Sequence, residues 1–537
     1  MSVQSTTKGF AVLSAASIIV KVLSLLYIPV LLAIIGEEGN GIYAAAYQVY
    51  VFVYVLTNSG LPVAISKLVA ELIAVRNFKD AVRSFKIARF LLMVVGIFMS
   101  MLMMLLARPL SKALNFEKSY LAILALSPTL IFTSTASAYR GYFQGRGNMV
   151  PTAVSQVIEQ IANSIFTIVF AALFIKISLE AACAGGTVGT SLGALFSMTF
   201  LILFYRRNKK IVVPKGYLVQ VTEIYSYKEL FMKILSYSIP ITLSVGLQYA
   251  GNLVDLWNTK SRLLAAGFAD DVATKMYSYL YKYTQLMHVP TSIIAALAAA
   301  VLPAISGAVA ANDRLSTQNK VNYAFKLCLL IVMPSSVGLS VLSKQIYSLI
   351  KFGEGWHIML YGSVVIILMS LVQIQAITLQ GAGKLYTVTI NQTIGVIIKI
   401  LINYFVISIP SVNILGSIIG SIVGFSVPLI LNSIVIKNNL KIEVNLFKIA
   451  LKPFVSSLLM GLTVFAVYDV FFLLLGFIPV EYIANAISTI LAILAGVVAY
   501  IFILIKIKGI TGEDLEALPA KFLKLIPADL LNVIREN

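Results

Sequence analysis

The sequence predicts an all-α, polytopic membrane protein of about fourteen transmembrane helices, in two parallel six-helix lobes plus two C-terminal helices. Three observations predict it. The 537 residues are 59% hydrophobic and only 12% charged, where a soluble chain carries about 25% charged residues. Apolar runs of about 18 residues or more recur along the whole length, enough for each to cross a hydrocarbon core. A polar, glycine-rich turn also occurs twice. Gln144-Gly145-x-Gly147 returns as Gln380-Gly381-x-Gly383, and Gln156 returns as Gln392, each 236 residues further on.

The runs divide the chain into a first lobe over 1–205, a basic linker over 206–233 and a second lobe over 234–436. Two appended helices follow over 437–506, and 507–537 reads as an amphipathic tail lying on the membrane face. The repeated turn carries the fourth and fifth spans onto the tenth and eleventh. An even number of spans separates the copies, so the lobes run parallel rather than inverted. Weaker echoes support this at drifted offsets, as loop insertions between lobes would produce: Leu61-Pro62 with Ser66 resembles Leu302-Pro303 with Ser306 at 240 to 241, and Tyr43 and Tyr47 resemble Tyr277 and Tyr281 at 234. A β-barrel is excluded because its short alternating segments are missing. No cleavable leader is expected, since the first run lacks a small-residue cleavage site and the next span follows at once.

The formal charge of +19 is unevenly placed. Basic clusters fall at Lys67–Arg89, Arg206–Lys233 and Lys437–Lys452, all on one side once the spans are threaded. That bias predicts cytoplasmic N- and C-termini, with attraction to anionic membrane lipids. Aromatics interleaved with bases, as a nucleic-acid surface needs, are lacking. Cys183 and Cys328 lie in apolar runs and read as packing residues, and two histidines cannot build a zinc site. No phosphate-cradling loop and no nucleophile–base constellation is legible, so no enzyme activity, metal or cofactor is expected. A coupling ion or the membrane potential is left as the drive.

Ionisable groups inside spans are costly and default to functional candidates. Lys21 sits mid-span, eight residues before Pro29, where a cation facing a water-filled cavity would receive an anionic group. Lys282 is a second such cation. Ser155, Glu159, Asn163 and Thr167 recur every fourth residue and form one polar stripe; shifted by 236 they become Asn391, Gly395, Lys399 and Asn403. Two readings are open: walls of one cavity, with Glu159 and Lys399 foremost, or polar contacts between helices. Tyr43, Tyr47, Tyr50 and Tyr54 form a stripe that reads as packing before substrate contact. Arg262 and Lys260 read as solvated loop charges before a phosphate-holding pair. The repeated turn reads as an elbow: Gly145, Gly147, Gly381 and Gly383 permit the bend, while Arg140 and Arg146 touch headgroups or gate the mouth.

Three segments carry a family resemblance: GEEGNGIY at Gly36–Tyr43, GLPVAISKLVAE at Gly60–Glu71 and RGYFQGRGNMVPTAVSQVIEQ at Arg140–Gln160. With GITGEDLEALP at Gly509–Pro519, they resemble the stage V sporulation protein B and polysaccharide-transporter families. These belong to the multidrug/oligosaccharidyl-lipid/polysaccharide (MOP) exporter superfamily, which includes the lipid II flippases. The resemblance implies a flippase in a bacterial cytoplasmic membrane that moves an undecaprenyl-pyrophosphate-linked sugar, lipid II foremost, for wall or spore peptidoglycan. It implies a cationic cavity for the pyrophosphate, with Lys21 at the corresponding place in the first helix, where many lipid II flippases carry more than one arginine. It also implies a groove for the polyprenyl tail on the last two helices. Other readings stand beside it: a flippase for another lipid-linked precursor, a cation-coupled multidrug exporter, or a non-transporting scaffold for cell-wall synthesis enzymes. The exporter would want a buried acid in the first helix, where this chain has Lys21.

Overall fold

A computed structural model describes residues 6–208 and 225–509. Among the described residues every regular element is helical, as expected where lipid cannot satisfy backbone N–H and C=O groups. Among the described residues ten helices are long and apolar enough to cross a membrane, or twelve if each of two bent pairs is one span. That tally takes Ala15–Ala74 as a single span, although Gly36 (φ 66°, ψ −176°) breaks it. The expected tail and most of the expected linker lie outside the described residues.

The chain divides into two compact units. The first holds the described residues of Met1–Tyr281 together with Asn403–Ile414. It contains α1 (Thr6–Asn58), α2 (Gly60–Ala74), α3 (Phe78–Ala113), α4 (Tyr120–Leu126), α5 (Thr129–Gly145), α6 (Val150–Phe174), α7 (Leu179–Asn208) and α8 (Tyr227–Ala265). The opening turns of α9 (Asp270–Ala310) complete it. Small residues set the packing, as in membrane interiors where helices must approach closely. A Cβ on Gly141 or Gly145 would lie 2.6 Å from the Pro62 or Ser66 carbonyl oxygen of α2. Gly189 and Gly193 seat α7 on Thr167 and Glu159 of α6 in the same way. An aromatic cluster fills the adjoining space, with Phe85 and Tyr142 ring centroids 4.4 Å apart.

The second unit holds Lys282–Ile402 and the described residues from Leu415 onward. It contains the rest of α9, then α10 (Arg314–Val341), α11 (Ser343–Leu349), α12 (Trp356–Gly362), α13 (Val365–Gly381) and most of α14 (Leu385–Val406). After these come α15 (Gly416–Leu440), α16 (Leu446–Leu474) and α17 (Glu481–Lys506). The last two pack on each other and on α10 through Met460, Val464 and Ala492. The Tyr500 hydroxyl donates to the Leu330 carbonyl at 2.9 Å. Their other faces stay apolar and exposed, as at Leu462 and Leu494, which suits contact with lipid.

The 236-residue offset seen in one turn extends to the backbone of both units. Arg76 and Asn312 both have positive φ (60° and 53°), and Asn77 and Asp313 follow as N-caps of α3 and α10. Asn115 and Lys351 are again a positive-φ pair (61° and 55°). The helix pairs α4–α5 and α12–α13 bend by 41° and 51° at breaks beginning at Ser127 and Ser363. The elbows agree bond for bond: Asn148 N–H donates to Phe143 O at 3.0 Å, and Lys384 N–H to Leu379 O at 2.8 Å. Gly147 and Gly383 adopt φ of 71° and 74°, as this left-handed helix ending requires. The duplication therefore repeats its elements in the same chain order.

Candidate functional site

The sequence assigns Arg140 to a gate and Glu159 to a cavity wall; the structure joins them. Arg140 Nη2 donates to Glu159 Oε2 at 2.6 Å and to Ser197 Oγ at 2.8 Å, and Nε donates to Ser155 Oγ at 3.0 Å. One guanidinium thus ties α5, α6 and α7 together. The two side chains are 13% and 27% exposed, so each charge depends on the other for compensation. Ser197 was not among the expected residues. Arg146 stays at the elbow, its Nη1 donating to the Asn208 carbonyl at 3.2 Å, above the Tyr142 ring.

Along α6 the polar stripe turns toward its neighbours. Asn163 Oδ1 accepts from Thr190 Oγ1 of α7 at 3.1 Å, and Thr167 donates to the Gly186 carbonyl at 2.8 Å. For Ser155, Asn163 and Thr167, helix-to-helix contact describes the geometry; Glu159 alone of the four is partly exposed. In the second unit Asn391 donates to Asn432 at 2.8 Å, and the Lys399 stem lies against Gly424, half-buried. Gly381 packs on Ile305 and Ser306, and Gly383 ends the elbow.

The remaining cations differ sharply in surroundings. Lys282 is fully buried, its ammonium donating to the carbonyls of Phe352 (2.6 Å) and Glu354 (2.8 Å). It thereby pins the segment between α11 and α12. Lys260 is no solvated loop charge: it is buried, paired with Asp270 at 2.9 Å, bonded to Thr274 and set over the Phe116 ring. Arg262 stacks on Tyr404 at 4.1 Å, next to Asn403, which is buried and donates to Asp255 at 3.0 Å. Lys21 is exposed on α1 and has no hydrogen-bond or ion-pair partner among the described residues.

Two features lie close by in the same unit. The rings of Tyr43, Tyr47, Tyr50 and Tyr54 form a ladder with centroids 5.9, 5.6 and 5.9 Å apart. Asn40 donates to Ser278 Oγ at 2.8 Å, and Ser278 donates to Glu37 at 2.7 Å. The Glu37–Ser278 link is not legible in the sequence, because its members are 241 residues apart. Among the described residues no group of three or more His, Cys, Asp or Glu is placed to hold a metal ion.

Long apolar helices, an internal duplication and charges held inside the spans define a multi-pass membrane protein. The chain matches the family described as "Polysaccharide biosynthesis protein" over residues 6–309, more than half its length, and it belongs to that family. Stage V sporulation protein B of Bacillus subtilis (strain 168) is 27% identical over 462 residues, 84% of this chain and 87% of that protein. Lipid II flippase MurJ of the same organism is 25% identical over 479 residues, 85% and 87% of the respective chains. A solved structure of lipid II flippase MurJ in an inward closed conformation aligns with a TM-score of 0.67 at 16% identity. It covers 92% of this chain and 98% of that one, which establishes the shared fold. The expected resemblance to stage V sporulation protein B and to lipid II flippases is thereby borne out.

Proposed function

We propose that this protein is a flippase that carries an undecaprenyl-pyrophosphate-linked sugar, lipid II foremost, from the inner to the outer leaflet of the bacterial cytoplasmic membrane. It works by alternating access, with both termini cytoplasmic, as the placement of basic residues supports. The relation to a protein named lipid II flippase supports the substrate class. The observation that carries the reading is Lys21. Arg140, Lys260 and Lys282 spend their donors on the chain's own oxygens, while Lys21, in an apolar helix, has no such partner among the described residues. Such a group is expensive to hold in a membrane without a task, and a point charge suits a phosphate. A cation-coupled drug exporter is disfavoured for the same reason, since a cationic wall repels cationic cargo. Lys399 and Glu159 are the next wall candidates, both partly exposed. The drive is a coupling ion or the membrane potential.

The test is translocation in vesicles containing the purified chain, with lipid II, an undecaprenyl-linked teichoic-acid precursor and a cationic dye as cargoes. Lipid II should move, and Lys21→Ala should slow it at least about tenfold, the worth of one hydrogen bond to a charged group. Efflux of dye with no movement of lipid II would reject the reading.

A further inference from the structure

A cavity of about 390 Å³ opens in the second unit beside the end of α15 and the start of α16, a size within the range of small-ligand sites. Its floor is Gln375 of α13 and Ser433 of α15, and its walls include Phe325 of α10 and Ile442. Lys437 and Glu443 stand at the rim, paired at 3.4 Å and 67% and 77% exposed. The connector from Lys441 to Asn445 closes one side and is firmly held. Arg314 donates twice to the Lys441 carbonyl, at 3.0 and 2.6 Å, and Gln318 and Glu443 exchange bonds of 2.7 and 3.0 Å. The cavity is therefore built into the fold rather than left by a loose loop.

Its floor has an unmet demand. Gln375 is 1% exposed. Its Nε2 donates to Leu429 O at 3.0 Å and to Ser433 Oγ at 2.8 Å, but its Oε1 is buried with no donor. A buried acceptor left unpaired is costly, so the group that fills the cavity should bring an N–H or O–H. The rim asks for both signs at once: an ammonium for Gln375 and Glu443, and an anion for Lys437 and the first turn of the 29-residue α16. The apolar wall asks for a hydrocarbon neighbour. The position, between the last turns of α15 and the start of α16, is the level at which headgroups lie in a spanning protein.

We propose that this cavity binds the headgroup of a zwitterionic aminophospholipid, with the phosphoethanolamine ammonium on Gln375 Oε1 and Glu443 and the phosphate on Lys437. Phosphatidylcholine is the decisive control: it has the same charges, but its quaternary nitrogen has no N–H to donate. The full-length protein in detergent is titrated with phosphatidylethanolamine, phosphatidylcholine and phosphatidylglycerol, and bound lipid is counted by native mass spectrometry. Phosphatidylethanolamine should bind about tenfold tighter than phosphatidylcholine, the equivalent of one good hydrogen bond to a charged group. Gln375→Met should erase that preference. Lys437→Gln should weaken both lipids about equally; its exposed side chain can be changed without disturbing the fold, so it decides the matter if Gln375→Met does not fold. Equal binding of the first two lipids, tighter binding of phosphatidylglycerol, retention of no lipid, or indifference to Lys437→Gln would each overturn the proposal.

Discussion

The two copies of the repeat, 76–208 and 312–444, share a backbone and differ in chemistry. Turns, caps, helix breaks and elbows coincide at one offset. Yet Arg140 and Glu159, which knit the first copy together, correspond to Ala376 and Gly395 in the second. The second copy ties the same helices with neutral groups: Gln375 reaches Ser433, the counterpart of Ser197, at 2.8 Å. The helix breaks tell the same story. In the first copy, carbonyls freed near Ser127 are met by Thr187 and Ser191 of α7. In the second they are met by Ser336 and Ser340 of α10 and by Tyr283 of α9. Punctuation is set by local backbone demands and persists; partners are interchangeable provided that each buried polar group finds one.

The comparison can be broken hardest at the ion pair. Arg140→Ala strands Glu159 and should cost the first unit about 3 kcal/mol, whereas Arg140→Leu with Glu159→Leu should recover most of that. Thermal unfolding of the two variants in one detergent decides it, and equal losses would mean the pair is not coupled. Next come the elbow contacts. Gly145→Val drives a side chain into the Ser66 carbonyl, and Gly381→Val meets the more yielding Ile305 methyl at 3.1 Å. The first should cost about 2 kcal/mol more than the second, a difference readable as a lower midpoint of unfolding. Tyr283→Phe leaves the Gly362 carbonyl short of a donor held at 2.8 Å; about 1 kcal/mol should be lost, with faster hydrogen exchange confined to the break. Smallest should be the contrast between Gly147→Ala and Gly383→Ala. Each costs about 1 kcal/mol for the left-handed backbone, and a clear inequality would show that the two elbows are not equivalent.

Much of this fold was legible because hydrophobic runs and one exact spacing are local signals. The elbow at Gln144–Gly147 announced itself by composition, and its twin by repetition. The helix breaks did not. Pro128 marks the first, but the second falls at Ser363-Val364 with no proline, where hydroxyls on other helices supply the compensation. The site was less readable for the same reason. Lys21 stood out because the cost of a charge inside a span attaches to a single residue. Arg140 and Glu159 were each noticed, but not as partners. They are 19 residues apart, on opposite sides of the elbow, and an antiparallel hairpin register was the signal that could have joined them. The partners of Lys282 are carbonyls 70 and 72 residues away, and a carbonyl leaves no mark in a sequence.

The constancy of the offset has an angular meaning. Each residue added to a helix turns its face by about 100°, so one extra residue in either elbow would swing the following stripe by more than a quarter-turn. Asn391 would then leave Asn432, and the Lys399 stem would leave Gly424. Equal turn lengths hold α6 and α14 in rotational phase, so the two copies accept different residue types at some buried sites, as at Arg140 and Ala376, but not different elbow lengths.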